Sequence, residues 1–431
     1  MALIWLDALA RNIDQPLSRL FIQILAILVA SRAAGSLFAR FGFPSVVGEM
    51  AAGILLGPSL LGLVAPAAFA FIFPPDSLYS LQLLSQIGIC LFMFAVGMDL
   101  DESHLRGRVR SALIVSTAGI AVPFALGAMF AVVAYPGLAG PKATFIGFAL
   151  FMGIAMSITA FPVLARILQE RGLTGTSLGS IAILSAAIGD VTAWSIMAFV
   201  LAVAQADNMA GAVVTLAMAV AFITAMLVVV RPLLARTLGR QRLTREQPTN
   251  ATLALVICVM VASALITETI GVHAMFGAFL AGVAMPPAIG FRAAISAHVE
   301  KFSSVLLLPL FFAFTGLRTQ LGLLQGVDDW LLCLAIIALA TTAKLGASAL
   351  AARVTGMDWR TSLQLGALMN TRGLMELIVL NIGYDLGILS PRIFAMLVIM
   401  AMVTTLLTGP LLTLFSERRS LARSGVAEGK G

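Results

Sequence analysis

Ala187-Ile188-Gly189-Asp190-Val191 places one carboxylate midway along an apolar run, Ser180 to Val203, that is long enough to cross a bilayer. An ionised Asp at membrane depth costs about 2.5–3.5 kcal/mol on insertion scales, so such a residue faces a cavity, an ion path or a partner charge. A carboxylate balanced between desolvation and a neighbouring ammonium can release a proton and take a monovalent cation instead. Its two loaded forms, Asp–H and Asp⁻ with a cation, suffice for exchange. The empty, charged form is costly to move across the barrier. Asp190 is the expected ion- and proton-binding residue.

Four other ionisable residues fall inside apolar runs: Glu49, Lys344, Arg372 and Glu376. Lys344 lies mid-run, too deep to reach water easily. Pairing with a buried acid is its cheapest solution, with Asp190 a candidate, and bracing the bundle is the alternative. Arg372 and Glu376 are four apart and share a helix face, so they can pair. That pair is either a neutral clamp on its segment or a direct part of transport. Glu49 is expected to be a structural charge partner or cap.

The elements that must position these residues are membrane helices. The chain has 431 residues, 60% hydrophobic and 11% charged, with mean hydropathy +1.03. Soluble chains carry about 25% charged residues, so this composition excludes the soluble class. Helices of about 17–25 residues cross ~30 Å of hydrocarbon. Thirteen runs fit, at 17–38, 44–63, 79–98, 110–134, 143–168, 175–203, 210–235, 250–267, 271–286, 301–317, 330–352, 359–382 and 392–415. The first is expected to be a retained membrane helix, since no small-residue cleavage site follows a short apolar core. Cys90, Cys258 and Cys333 all lie in apolar runs without metal spacing and read as small core residues. His104, His273 and His298 are scattered and form no ligand set; His273 reads as a structural histidine, with pH sensing as the alternative.

Loop charge gives the orientation. With the first span starting outside, twenty of the 27 Lys and Arg fall on the inner side and five on the outer, with Lys344 and Arg372 inside spans. The positive-inside rule then puts the N-terminus outside and the C-terminus in the cytoplasm of a cell whose inner (plasma) membrane holds the chain. The same asymmetry explains the net charge of +7 without a nucleic-acid partner.

The sequence also repeats. Leu91 to Met98 in the third span is similar to Leu310 to Leu317 in the tenth, and Met50 to Gly57 in the second to Met275 to Gly282 in the ninth. Both pairs are seven spans apart. Seven is odd, so the copies face opposite ways, as in secondary transporters with a midplane site between broken helices. The expected organisation is a thirteen-helix membrane domain over 1–415, with a first half at 1–205, a linker helix and loop at 206–249, and an inverted second half at 250–415. A short cytoplasmic tail, 416–431, follows. Pro162 disfavours helix at Phe161 and takes the donor from the Ile158 carbonyl, so the fifth span should break at Ser157 to Pro162. Asn370-Thr371-Arg372-Gly373 is a polar tetrad at the matching place in the twelfth. Irregular backbone at depth is tolerated only beside protein or a wet cavity. The fold class is therefore an all-α polytopic membrane protein with two crossed discontinuous helices whose breaks face Asp190.

These residues resemble the second cation/proton antiporter family, which includes Kef-type systems, bacterial Na⁺/H⁺ antiporters and plant CHX-type exchangers. The stretches that carry the resemblance are Gly48 to Ser59, Ser157 to Val163, Gly189-Asp190-Val191, Gly271 to Gly277, Leu308 to Phe312 and Met369 to Gly373. The resemblance implies an inverted-repeat antiporter fold, often a homodimer, moving Na⁺, K⁺ or Li⁺ against H⁺ with no cofactor. Asp190 resembles the family's ion-carrying aspartate and so becomes the site of the monovalent cation. Ser157 and Thr159 match the unwound part of the first crossed helix, Asn370 and Thr371 that of the second, and Lys344 the membrane lysine near the site. Many members carry Asp, Asn or Gln where this chain has Gly189. With one carboxylate, electroneutral one-for-one exchange is expected. No dinucleotide glycine motif follows the membrane part, so nucleotide gating has no expected seat.

Na⁺/H⁺ antiport leads. A K⁺ efflux system of the same fold is the nearest rival, and the side chains near Asp190 do not choose between the ions. A cation-coupled symporter of an organic anion would need a further polar cluster. An intramembrane enzyme would need paired acids or a His/Glu metal set, so the expectation is a transporter and not an enzyme.

Overall fold

The structure is a computed structural model that describes residues 15–41, 43, 45–99, 109–173, 176–205, 209–243, 249–286 and 289–416. His104 and the tail from 417 lie outside the described residues, as do parts of the 206–249 linker.

Described elements are helical apart from one isolated bridge between Ala139 and Leu389. In chain order they are α1 (Pro16–Arg40), α2 (Ser45–Leu56), α3 (Leu61–Val64), α4 (Pro66–Ile72), α5 (Leu78–Asp99), α6 (Val109–Leu138), α7 (Phe145–Ser157), α8 (Phe161–Glu170), α9 (Ser177–Gln205) and α10 (Met209–Ala225). There follow α11 (Arg231–Leu243), α12 (Asn250–Ile270), α13 (Ala274–Val283), α14 (Ile289–Phe302), α15 (Leu308–Arg318), α16 (Val327–Val354), α17 (Trp359–Met369), α18 (Leu374–Asp385) and α19 (Pro391–Ser416). Short π-helical turns, Met226–Val230 and Ser303–Leu307, join α10 to α11 and α14 to α15.

Ten helices among the described residues are long and apolar enough to cross a membrane. The other three expected spans fall on helices that are short or divided: α7 with α8, α13 alone, and α17 with α18. The count of thirteen rests on these three.

Helix ends follow local chemistry. The Thr144 hydroxyl accepts from Gly147 N–H to start α7, and the Asp358 carboxylate accepts from Arg360 and Thr361 N–H to start α17. Gly271 ends α12 at φ 88°, a left-handed conformation that glycine adopts freely.

The chain forms two compact units that do not follow the two sequence halves. Of the described residues, those within 1–37, 48–102 and 198–320 make up one unit, and those within 38–47, 103–197 and 321–431 the other. The first holds the glycine contacts of the repeat. A Cβ on Gly57 would stand 2.7 Å from the Gly316 carbonyl oxygen, and one on Gly282 would stand 3.0 Å from Gly97 Cα. In the sequence repeat Gly57 corresponds to Gly282 and Gly316 to Gly97. The same close contact is therefore built twice, once per half. The second unit has its own apolar core, where Val115, Leu164, Ala182, Ala186 and Leu368 pack together.

One sequence expectation is corrected here. Cys333 is buried, but Cys258 is exposed on α12, whose buried face is Thr252, Val256, Met260, Ser263 and Thr267. The outer face of a membrane helix is as apolar as its inner face, so an apolar neighbourhood does not mark a core position.

Candidate ion-binding site at two broken helices

The fifth span is broken. Helix α7 ends at Ser157, residues 158–160 are non-helical with Ile158 extended, and α8 begins at Phe161. The twelfth is broken after Asn370, and α18 begins at Leu374. The two breaks cross. Ala160 N–H donates to the Thr371 carbonyl at 2.9 Å, and the Thr159 hydroxyl donates to the Met369 carbonyl at 3.0 Å. A Cβ on Gly373 would lie 2.9 Å from the Val163 side chain, so a larger residue there would push the two stretches apart.

A broken helix exposes a negative carboxyl end and a positive amino end. Both ends have partners here. The carboxyl end of α7 meets two cations: Lys344 from α16 donates to the Ser157 carbonyl and, at 2.7 Å, to that of Gly119 on α6. Arg372 donates to the Ala155 carbonyl and, at 2.6 Å, to that of Met156. Arg372 also pairs with Glu376 at 2.9 Å, as their spacing on one helix face allows, with both side chains fully buried. Glu376 in turn sits in the first turn of α18, where an acid suits the helix dipole.

Asp190 stands differently. It is 2% exposed, halfway along α9. The Lys344 ammonium acts on it through space. Neither carboxylate oxygen has a hydrogen-bond partner in the protein. The Asn370 amide, also buried, has none on either atom. The Ser157 hydroxyl is turned to its own helix and donates to Ile154 at 3.0 Å. The Thr371 hydroxyl lies 3.4 Å from that of Thr408.

Of the residues singled out in the sequence, Ser157, Thr159, Asp190, Lys344, Asn370, Thr371, Arg372 and Glu376 all belong to the second compact unit, and Glu49 is buried in the first. Sequence reasoning did not find Thr405. Its hydroxyl accepts from Arg372 N–H at 3.0 Å and lies 2.7 Å from the Arg372 carbonyl, closing the second break from α19. The seven-span offset was the available signal: it carries the sixth span, with Asp190, onto the thirteenth, with Thr405.

Two discontinuous helices crossed at their breaks, beside a buried carboxylate that lacks a protein partner, define the inverted-repeat antiporter fold. The chain belongs to the sodium/hydrogen exchanger family, whose transmembrane model matches residues 24–418. It is 41% identical over 393 residues to the Na⁺/H⁺ antiporter NhaS4 of Synechocystis, covering 90% of this chain and 95% of that one. It is 38% identical to cation/H⁺ antiporter 17 of Arabidopsis thaliana and 31% identical to K⁺/H⁺ antiporter 1 of Saccharomyces cerevisiae. Those two matches cover 96% and 93% of this chain but 50% and 46% of the relatives, so the chain spans about half their length. The fold matches that of the sodium proton antiporter MjNhaP1 from Methanocaldococcus jannaschii, with TM-score 0.66 at 15% identity over 93% of this chain and 99% of that one.

Proposed function

We propose that this protein exchanges a monovalent cation for H⁺ by alternating access, with Asp190 as the single site both ligands use. The observation that carries the reading is the pair of buried Asp190 oxygens without a protein partner at the crossing. A buried carboxylate whose oxygens make no hydrogen bond in the protein suits a group that is loaded from outside the polypeptide. Thr159, Ser157, Asn370 and Thr371 bring oxygen atoms to the two breaks, the donor type that suits a hard monovalent ion.

Charge at the crossing favours one-for-one exchange. Asp190 and Glu376 are balanced by Lys344 and Arg372. A proton or a monovalent cation on Asp190 adds the same single charge, so both loaded forms are electrically alike. Na⁺ is the favoured ion, with K⁺ or Li⁺ as alternatives. Relatives named for Na⁺/H⁺, for K⁺/H⁺ and for combined Na⁺/H⁺-K⁺ antiport all match this chain. The proposed setting is the plasma membrane bilayer, as a homodimer, with the N-terminus outside and the C-terminus in the cytoplasm. The reading is of a transporter that needs no cofactor, and not of an enzyme.

The test is cation-induced proton movement in proteoliposomes, with Na⁺, K⁺ and Li⁺ added separately to wild type and to Asp190→Asn. Wild type should collapse a pH gradient with at least one ion, which names the substrate, and the variant should stay at the level of empty vesicles. No response of wild type to any ion would overturn the reading. A membrane potential generated by exchange would overturn the one-for-one stoichiometry alone.

A further inference from the structure

Hydroxyl-bearing residues on membrane helices commonly satisfy themselves on the carbonyl one turn back. Thr192, Thr224, Thr269, Thr342 and Thr404 do so here, at 2.8, 2.8, 2.8, 2.7 and 2.8 Å. Ser116 on α6 does not. It is 1% exposed and its hydroxyl has no partner. A buried hydroxyl without a partner loses its hydration and gains nothing in return, which leaves its oxygen free for a ligand.

Its position names that ligand. The Ser116 Oγ stands 3.4 Å from where a Cβ on Gly189 would be, and the Ile120 side chain follows at 3.9 Å. Ser116 therefore lies against the backbone of residue 189, the chain neighbour of Asp190, where no side chain intervenes. These are ordinary contact distances, so the missing side chain is not forced by crowding. On the same helix, three residues on, the Gly119 carbonyl holds Lys344, so α6 already forms one wall of the charged crossing.

We propose that Ser116 is a cation-ligating residue, its hydroxyl oxygen supplying to the monovalent ion on Asp190 the contact that a side chain at 189 would otherwise give. The inference rests on the exchange reading above and deepens it. The ion it fits is hard and partly dehydrated, since the offered atom is a neutral oxygen.

The experiment measures apparent KM for Na⁺, K⁺ and Tl⁺ in proteoliposomes for wild type, Asp190→Asn, Ser116→Ala, Ser116→Cys and Ser348→Ala. Ser348 is a control: it is also buried without a partner, but faces Gly119 and not residue 189. Ser116→Ala should raise KM for the transported ion about tenfold, the size of one lost ligand, with the maximal rate kept. Ser116→Cys keeps the side chain's size but offers soft sulfur. It should raise KM for Na⁺ and K⁺ while leaving that for soft Tl⁺ within about twofold. Gly189→Ser placed on the Ser116→Ala background should restore the affinity. If Ser116→Ala fails to fold, as judged by its size-exclusion profile, Ser116→Cys carries the test alone. Unchanged KM in the Ser116 variants, an equal shift for all three ions in Ser116→Cys, or an equal shift in Ser348→Ala would overturn the proposal. With wild type active and Asp190→Asn silent, those results sink Ser116 and leave exchange at Asp190 standing. A silent wild type sinks both.

Discussion

The two broken helices are the same device used twice, with opposite finish. At the α17–α18 break, a neutral Thr405 grips both the N–H and the carbonyl of Arg372, and its hydroxyl also bonds the Ala401 carbonyl of its own helix. At the α7–α8 break, the span in the matching place brings Asp190, whose two buried oxygens have no hydrogen-bond partner in the protein. One break is closed by the protein and the other is left for a ligand to close. Duplication supplies two unwound stretches because crossing them lets each satisfy the other's backbone, through Ala160 to Thr371 and Thr159 to Met369. Only one of the two needs to be chemically open.

Substitutions at the two places should part along these lines. Asp190→Asn is expected to abolish exchange, yet to melt no lower than wild type, because neither carboxylate oxygen makes a hydrogen bond in the protein that the substitution would break. A large loss of thermal stability in that variant would show that Asp190 holds the fold. Arg372→Ala is next. It strips two carbonyl caps from α7 and strands Glu376, and breaking a buried pair from one side costs about 3–5 kcal/mol. Its unfolding midpoint should fall well below that of Glu376→Gln. Thr405→Val, nearly isosteric, leaves the Arg372 N–H and carbonyl without the hydroxyl, at about 1–3 kcal/mol. Its melting temperature should drop while the ranking of transported ions stays as in wild type; a changed ranking would mean that both breaks bind ions. The smallest effect is expected outside the membrane. The hydroxyl and N–H of Thr361 hold the Asp358 carboxyl below its ordinary 3.8. A lowered value favours the folded form above pH 3.8, and the benefit is lost as pH falls through the folded-state value. Asp358→Ala should therefore lower the melting temperature slightly at pH 7, and the gap to wild type should close in acid.

Much of this architecture was legible because membrane helices tolerate few exceptions to apolarity. Pro162 after a polar stretch and the tetrad Asn370 to Gly373 stand out against their spans, and both mark breaks. Arg372 and Glu376 were readable as a pair because four residues is a fixed distance on a helix. Lys344 shows the limit. A lysine's candidate acids can be counted in the sequence, but its hydrogen bonds go to the carbonyls of Gly119 and Ser157. Every residue carries a carbonyl, so nothing marks those two before the chain is folded. Thr405 and Ser116 were silent for a related reason. Most hydroxyls on these helices turn back on their own carbonyls, and what else Thr405 and Ser116 meet is set by neighbours on other helices, tens of residues away. The glycines of the repeat were visible as a pattern, though their meaning as contact points was not.

Those glycine seams, Gly57 on Gly316 and Gly97 beside Gly282, have a consequence in entropy. Backbone meets backbone there, with no side chain between. Such a contact freezes no rotamers when it forms, and within lipid, where water release contributes nothing, close packing of this kind is what draws helices together. The dispersion gained at each seam is therefore set against almost no loss of side-chain freedom. A single methyl at any of the four positions would cost the fold on both sides of that balance at once.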